Sequence, residues 1–525
     1  MEVFREIQVL LLDNWLILLL TLFFTKLLFN KYGQGLNSIP GPFLAGFSDF
    51  WRFLCTTFST AHEVHIELHR KTNSQFVRIG PRTISISDTT LIPTIYGTHS
   101  AFTKSDYYNL SMMPLDGRYT PSLFTAVDER YHTSIKRPIA TAYSMTTIIE
   151  FEPLVDSTSA LLMSRLDGFA ASGVSFDFGV WLQMYAFDVI GEILFSQKLG
   201  FLESGTDVAG IMADIRGKIS YAACVGQIPF LDKILTKNPL FLKIVPTHPI
   251  VTFTLERMRE RATSMAYGAG RKRDFLTRCI EAQARYPDIV TDRMIILYNG
   301  DNVAAGSDTT GIALRTIFYY LLKTPACLRR VVDEIDHADK LGQLSSFVTW
   351  HESTRLPYLQ ACIKEALRIH PVVGLIIERC VPKGGIVLGG HYLPENTVVG
   401  MNPWVTSRDE GVYGADADTF RPERWLEATQ EQLIAMERAN LTFGYGKRAC
   451  IGKNISMLEI CKVVPQLLRH YEVRYFEDFV SDSNSDACIS CPSCGQTRSG
   501  QFGEDGLCGK MASKCTFEKG LGGLS

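Results

Sequence analysis

Near its C-terminal end the chain runs Phe443-Gly444-Tyr445-Gly446-Lys447-Arg448-Ala449-Cys450-Ile451-Gly452, and few folds can accommodate such a stretch. Glycine weakens both helix and strand, and here glycines alternate with a tyrosine ahead of a basic pair and a single cysteine. The run therefore predicts a loop whose backbone is shaped around something. A thiol at its end makes a metal cofactor the natural candidate.

Cysteine binds metal as thiolate, and the thiolate is favoured by a nearby cation or a helix N-terminus. Cys450 has Arg448 two residues before it, and the apolar stretch Ile455 to Leu468 after it predicts a helix. Flanking glycines let backbone amides approach the sulfur and tune a bound iron. A glycine-rich surface turn holding a stray thiol is the plain alternative. The spacing of Phe443, Gly446, Arg448, Cys450 and Gly452 resembles, at every fixed position, the haem-binding loop of the cytochrome P450 family. That resemblance implies haem b (iron protoporphyrin IX), with Cys450 as axial thiolate ligand of the iron. It further implies that Phe443 packs beside the sulfur and that Arg448 pairs with a haem propionate.

The rest of the chain fits a large enzyme with a membrane attachment. Net charge is −2, which gives no reason to expect nucleic acid as a partner. Thirteen cysteines, mostly single among apolar segments, suit a reducing, cytosol-facing compartment better than a disulfide framework. From Ile7 to Phe29 the sequence is almost wholly apolar, with Lys26 near its edge. About 20 such residues span a bilayer, so residues 1–38 are expected to be a single-pass membrane anchor and linker; a buried core helix is the alternative. Arg5 against Lys31 is too weak a bias to orient the span. The family resemblance implies an endoplasmic-reticulum protein with its main body in the cytosol. Ile39-Pro40-Gly41-Pro42 then stops any helix, and the catalytic domain is expected over residues 39–476.

Within that body, Thr83-Ile84-Ser85-Ile86-Ser87 and the Gly80-Pro81 turn predict a hairpin between Phe76 and Asp88. Phe102 to Phe124 has no period and reads as a long loop; the resemblance places it over the substrate. Asp128 to Lys136 predicts a helix with His132 and Lys136 on one face. The family commonly has tryptophan and arginine there, aimed at a propionate, so His132 and Lys136 are expected to serve, with lysine offering a point charge instead of a fork. Solvated surface charge is the alternative. Trp181 to Phe195 predicts a core helix with no chemistry of its own.

From Thr291, a plausible N-cap, an apolar helix is expected to Leu322, interrupted by Ala304-Ala305-Gly306-Ser307-Asp308-Thr309-Thr310-Gly311. Each mid-helix glycine costs about 0.5–1 kcal/mol, so such a run needs a reason. The resemblance makes it the helix crossing the distal face of the haem. Gly306 then leaves room for dioxygen, Thr309 presents a hydroxyl to it and Asp308 relays protons; a kinked core helix with Thr309 bonded to its own carbonyls is the alternative. Glu365 and Arg368 lie three apart on a predicted helix, and Arg424 follows in Pro422-Glu423-Arg424-Trp425; the resemblance joins them in a buried structural network. Arg379 falls where family members reach a propionate, and Ile386 to Leu393 predicts a hairpin about Gly389-Gly390.

After Phe476 the resemblance ends. Residues 477–525 form a polar, glycine-rich tail with Cys488, Cys491, Cys494, Cys508 and Cys515. The first three could hold zinc or an iron–sulfur cluster, but the composition predicts disorder; foreign sequence is a further reading. The fold class expected is mainly α with small β-sheets (α+β). The function implied is a monooxygenase that takes O2, a lipophilic small molecule and NADPH-derived electrons from a flavoprotein reductase. Its alternatives are a relative that rearranges, dehydrates or couples its substrate, and a haem-binding protein made inactive by the unusual tail.

Overall fold

The computed structural model describes residues 14–174, 176–238, 240, 249–266, 273–475 and 514–519. Helix α1, Trp15–Tyr32, is 18 residues long and none of its residues is buried. At about 1.5 Å per residue it spans about 27 Å, close to the thickness of a hydrocarbon core. The expected span began at Ile7, and its first residues lie outside those described. The helix is fastened to the body at its C-terminal end. There the buried Arg78 guanidinium donates to the carbonyls of Asn30 and Lys31 at 2.7 and 3.0 Å, meeting the helix's orphan acceptors. Beside it, a side chain on Gly41 would lie 2.0 Å from the Arg78 carbonyl, so the chain leaves the anchor region through a position only glycine can fill.

Arg78 sits in the expected hairpin, β1 (Phe76–Gly80) with β2 (Thr83–Ile86), although both strands are buried on both faces. The long loop is not structureless: β3 (Pro114–Leu115) and β4 (Arg118–Tyr119) pair around Asp116-Gly117, both with positive φ. An Asp-Gly turn of this kind matches strand twist, a signal the aperiodic sequence around it hides. The main sheet has the order β1-β2-β9-β6, with β9 (Val398–Gly400) parallel to β2 and antiparallel to β6 (Arg379–Cys380). Strands β7 (Ile386–Leu388) and β8 (His391–Leu393) form the second expected hairpin, with Gly389 and Gly390 at positive φ.

A third sheet orders β10 (Tyr471–Tyr475), β11 (Lys514–Lys519) and β5 (Phe176–Asp177). Strand β11 belongs to the tail; five of its residues are in register with β10 and two with β5. Cys515 lies in β11, in register with Tyr475 and Phe176. Cys488, Cys491, Cys494 and Cys508 lie outside the described residues.

The body is helical. Helices α2 (Phe50–Thr57), α3 (Glu129–Lys136), α4 (Phe178–Phe195), α5 (Ile211–Val225), α6 (Asp292–Lys323), α7 (Pro357–Ile369) and α8 (Lys453–His470) carry the groups that matter below. In α4, 16 of 18 residues are buried, and the large core is built around its crossing with α6. The glycines of α6 answer to that crossing. A side chain at Gly306 would meet Ile190 at 3.2 Å, and one at Gly311 would meet the Gln183 main chain at 3.0 Å. Thr310 then ties α6 to α8 through a 2.9 Å hydroxyl contact with Ser456.

The expected carboxylate–guanidinium network is present and fully buried. Glu365 accepts from Arg368 at 2.7 and 2.8 Å, from Arg424 at 2.9 Å and from the Trp425 indole at 2.9 Å. Burial pushes the Glu365 carboxyl up, and Arg368 and Arg424 push it further down, to a net value below its ordinary range. Both arginines spend their remaining donors on carbonyls of the 407–419 segment, and Arg424 also on the Asp416 carboxylate at 3.1 Å. The network is a fastening for the segment that leads to the cysteine loop.

Candidate active site

The cysteine loop closes on its own backbone. The Gly444 amide donates to Leu441 at 2.8 Å, Ala449 to Gly446 at 3.1 Å, and Cys450 to Phe443 at 2.7 Å. That last bond sets Phe443 beside the cysteine. Gly444 and Gly446 have φ of 66° and 62°, and a side chain on Gly446 would sit 2.2 Å from the Tyr96 carbonyl. The loop can therefore lie against the Ile92–Tyr96 helix only with glycine at 446.

Gly452 caps α8, and the amides of Gly452 and Lys453 donate to the Cys450 sulfur. Protein atoms around the thiol raise its pKa, while those amides and the Lys453 charge pull it back. The residue is nonetheless exposed on one side, so the sulfur is walled by protein and open in front. A thiolate poised at a helix N-terminus and facing open space is what an axial ligand requires.

Beside the loop lies a cluster of cations. Arg448 donates from Nε to Glu129 at 3.1 Å and holds Nη2 at 3.1 Å from the same oxygen, while Nη1 is buried without a hydrogen-bond acceptor. Lys136 reaches the same place, donating to the Lys447 carbonyl at 3.3 Å, and Lys447 donates to the Ser100 carbonyl at 2.8 Å. His132 is buried among them: burial first, then Arg448, Lys136, Lys104 and Lys447, push its pKa down to about 3. Arg379, on β6, donates to the Tyr108 hydroxyl at 3.3 Å and to the Glu378 carbonyl at 2.7 Å. The cations outnumber the carboxylates facing them, and orphaned donors of this kind are costly when buried. Anionic groups are what this donor set fits.

Sequence reasoning missed Lys104. It is buried, its amine donates to the Phe124 carbonyl at 2.5 Å, and it lies over the Tyr108 and Phe124 rings at 4.0 and 4.6 Å. Burial, and then Arg379 and Arg448, hold its pKa well below the usual lysine range. Asp301 on α6 was missed as well, though an acid inside an apolar helical run is a visible signal. It accepts from the Ser122 side chain and the Phe124 amide, and burial raises its pKa to about 6. Phe124 is thus clamped from both sides of its backbone, with its residue half exposed.

On the distal side, Ala305 is exposed, and the Thr309 hydroxyl donates to its carbonyl at 2.6 Å. That bond is the alternative the sequence left open, and it sets the hydroxyl on the open face. Asp308 does not share that face; it accepts from Gln183 on α4 at 2.6 Å. Gly306 is turned toward Ile190. The structure therefore brings Cys450, Phe443, Arg448, His132, Lys136 and Arg379 around one end of the site. Asp308, Thr309 and Gly306 lie on the helix tied to α8, and among them Thr309 alone bonds on the open side.

Comparison with known proteins agrees with this geometry. Residues 49–491 match the family model described as Cytochrome P450, fifteen residues beyond the point where the sequence resemblance was expected to end. The chain is similar to the cytochrome P450 monooxygenase cicH of Emericella nidulans, with 43% identity over 87% of this chain and 92% of that one. A cytochrome P450 monooxygenase of Aspergillus terreus is 44% identical over 83% of this chain and 90% of its own. The mpaDE monooxygenase of Penicillium brevicompactum is 38% identical over 83% of this chain and 52% of its own length. A haem-thiolate cofactor, dioxygen, a redox partner and a small-molecule substrate are what this relationship implies. The chain belongs to the cytochrome P450 family and is an oxygen-incorporating oxidoreductase, a P450 monooxygenase.

Proposed function

We propose that this monooxygenase is anchored in the endoplasmic-reticulum membrane by a single span, with its body in the cytosol. Its substrate is a lipophilic small molecule, a fungal secondary metabolite, and its electrons come from NADPH through a separate flavoprotein reductase. The observation that carries the reading is the buried Arg448 guanidinium, whose Nη1 has no acceptor, beside Cys450, the one exposed cysteine among the described residues. Cys450 would hold haem b through its thiolate, with Phe443 beside the sulfur, and Arg448, Arg379, His132 and Lys136 would hold its carboxylates.

When bound, haem b supplies the activation of dioxygen, by which a C–H bond, O2, two electrons and two protons become an alcohol and water. The chain's own residues supply position and protons. Thr309 spends its hydroxyl hydrogen on the Ala305 carbonyl, so its oxygen can only accept from a donor in the open slot. Asp308, whose pKa burial raises and Arg315, Arg216 and Gln183 restrain, takes protons from solvent and returns them toward that slot. Gly306, expected to leave room for dioxygen, instead owes its missing side chain to the crossing with α4, where a Cβ would meet Ile190 at 3.2 Å. The apolar Pro371 to Ile377 stretch and the half-exposed Phe124 ring suit a lipophilic substrate. The exposed apolar helix α1 and its docking on Arg78 support the anchor.

Purified full-length protein, reduced under carbon monoxide, is expected to give the thiolate-type Soret band, and Cys450→Ser to abolish it. An unchanged spectrum in that variant overturns the reading. Supplying NADPH, reductase and candidate metabolites then separates oxygenation from rearrangement or an inactive haem protein, because only the first consumes O2 in step with product.

A further inference from the structure

Helix α4 looked like core and nothing else, yet one of its buried residues is a glutamine with both ends in use. Gln183 donates from Nε2 to Asp308 at 2.6 Å and accepts at Oε1 from Arg315 at 2.9 Å. Its orientation has no freedom: a guanidinium offers donors only, so Oε1 must face Arg315 and Nε2 must face Asp308. Arg315 is itself held, donating from Nε to the Gly179 carbonyl at 2.7 Å. Gly311 completes the fit, because a side chain there would press within 3.2 Å of the Gln183 Cβ and Cγ.

Successive residues on a helix face about 100° apart, so Asp308 and Thr309 cannot both point into the slot. Thr309 bonds on the side of the exposed Ala305, and Asp308 is turned toward α4. Among the described residues, Gln183 is the one hydrogen-bond donor to the Asp308 carboxylate, and its bond to Oδ1 leaves Oδ2 unused. The charges that face Asp308 are Arg315 from its own helix and Arg216 from α5, with Asp177 acting on Arg315.

We propose that Gln183 is the positioning residue of the proton relay: the one-way chain from Arg315 through Gln183 to Asp308 fixes one carboxylate oxygen and leaves the other to take up and pass on protons. This rests on the proton role given to Asp308 above. Each proton passed inward leaves a carboxylate, which a proton from water then neutralises, so the group returns to its starting state.

The test is an infrared pH titration of the holoenzyme. The band of the protonated Asp308 carboxyl is identified as the one missing in Asp308→Asn, and its midpoint is compared in wild type, Gln183→Leu and Gln183→Glu. A lost hydrogen bond to a charged group corresponds to an upward shift of about one pH unit or more in both variants. Gln183→Glu keeps the acceptor for Arg315 and the side-chain volume, so it serves even where Gln183→Leu folds poorly. Peroxide formed per NADPH oxidised with the reductase is expected to rise several-fold in both, and no further when either is combined with Asp308→Asn. Midpoints equal to wild type in both variants overturn the assignment. If Asp308→Asn leaves peroxide formation unchanged, the proton role falls instead, while a midpoint shift would still hold Gln183 to its place.

Discussion

The hydroxyls of Thr310 and Ser456 meet at 2.9 Å, both buried, one residue past Thr309 on α6 and six past Cys450. The helix that carries Thr309 and the helix that follows Cys450 are therefore tied by a buried polar contact. Removing one partner strands the other, whereas removing both does not. Thr310→Val is expected to destabilise the protein by about 1–2 kcal/mol, and Thr310→Val with Ser456→Ala by less than the sum of the single changes. Thermal unfolding of the four proteins measures the difference.

Glu365 carries a heavier consequence. It has four side-chain bonds from Arg368, Arg424 and Trp425 and a fifth from the Arg421 amide at 2.9 Å, all without solvent. Neutralising it leaves the buried Arg368 guanidinium without a carboxylate and Arg424 with Asp416 alone, a change that costs about 3–5 kcal/mol. Glu365→Gln is expected to lower the melting temperature sharply and to yield protein that takes up little haem, read as the Soret absorbance per polypeptide. Normal haem content and stability would remove the fastening role.

These two features differ in how far the residues announced them. The Glu365 network and the cysteine loop were legible through the family resemblance, which short motifs carry: a glutamate and arginine three apart on a helix, and glycines at fixed places around one cysteine. Gly306 and Gly311 were noticed, but their closest demand, the crossing with α4, lies in residues more than 100 positions away and leaves no trace in periodicity. Gln183 hides for the same reason; a lone amide in an apolar helix reads as core until its partner, 125 residues on, is placed against it. The Asp116-Gly117 hairpin and the Lys104–Phe124–Asp301 clamp fall in a stretch with no period, where pattern has nothing to report.

Acid lability follows from three histidines. Burial, with Arg408 beyond it, lowers His62 to about 4. Burial with His69, Arg52 and His62 lowers His65 to about 3, and burial with His62 and Arg408 lowers His370 to about 4. All three are therefore neutral when folded, while the unfolded chain binds their protons below the ordinary histidine value of 6.5. Between that value and about 4 the unfolded state holds more protons, so stability falls as pH falls, by up to about 1.4 kcal/mol per pH unit for each group. Asp301 works in the opposite sense, since its pKa is raised to about 6 and its contribution is lost as pH rises through that value. Glu459 and Asp308, also raised, act in the same sense as Asp301, while His132, lowered to about 3, adds a fourth imidazole to the three. Melting temperature is expected to drop steadily from pH 6.5 toward 4, and His65→Asn to flatten the slope; a flat profile in wild type would contradict the burial of these rings.

At the alkaline end the relevant group is Glu459, fully buried on α8, with both carboxyl oxygens lacking a hydrogen-bond partner. Burial raises its pKa well above the carboxylate range, so the side chain is a neutral acid in the folded protein and an anion in the unfolded chain. The sign is that of a raised acid: the stability it contributes is present below the unfolded pKa and lost as pH rises through the folded one. Glutamine has nearly the same shape and no proton to lose. Glu459→Gln is therefore expected to leave stability nearly unchanged at low pH and to exceed wild type increasingly as the buffer becomes alkaline. Denaturant unfolding of both proteins across that range reads the crossover, and parallel curves at every pH would mean that Glu459 is charged in the fold after all.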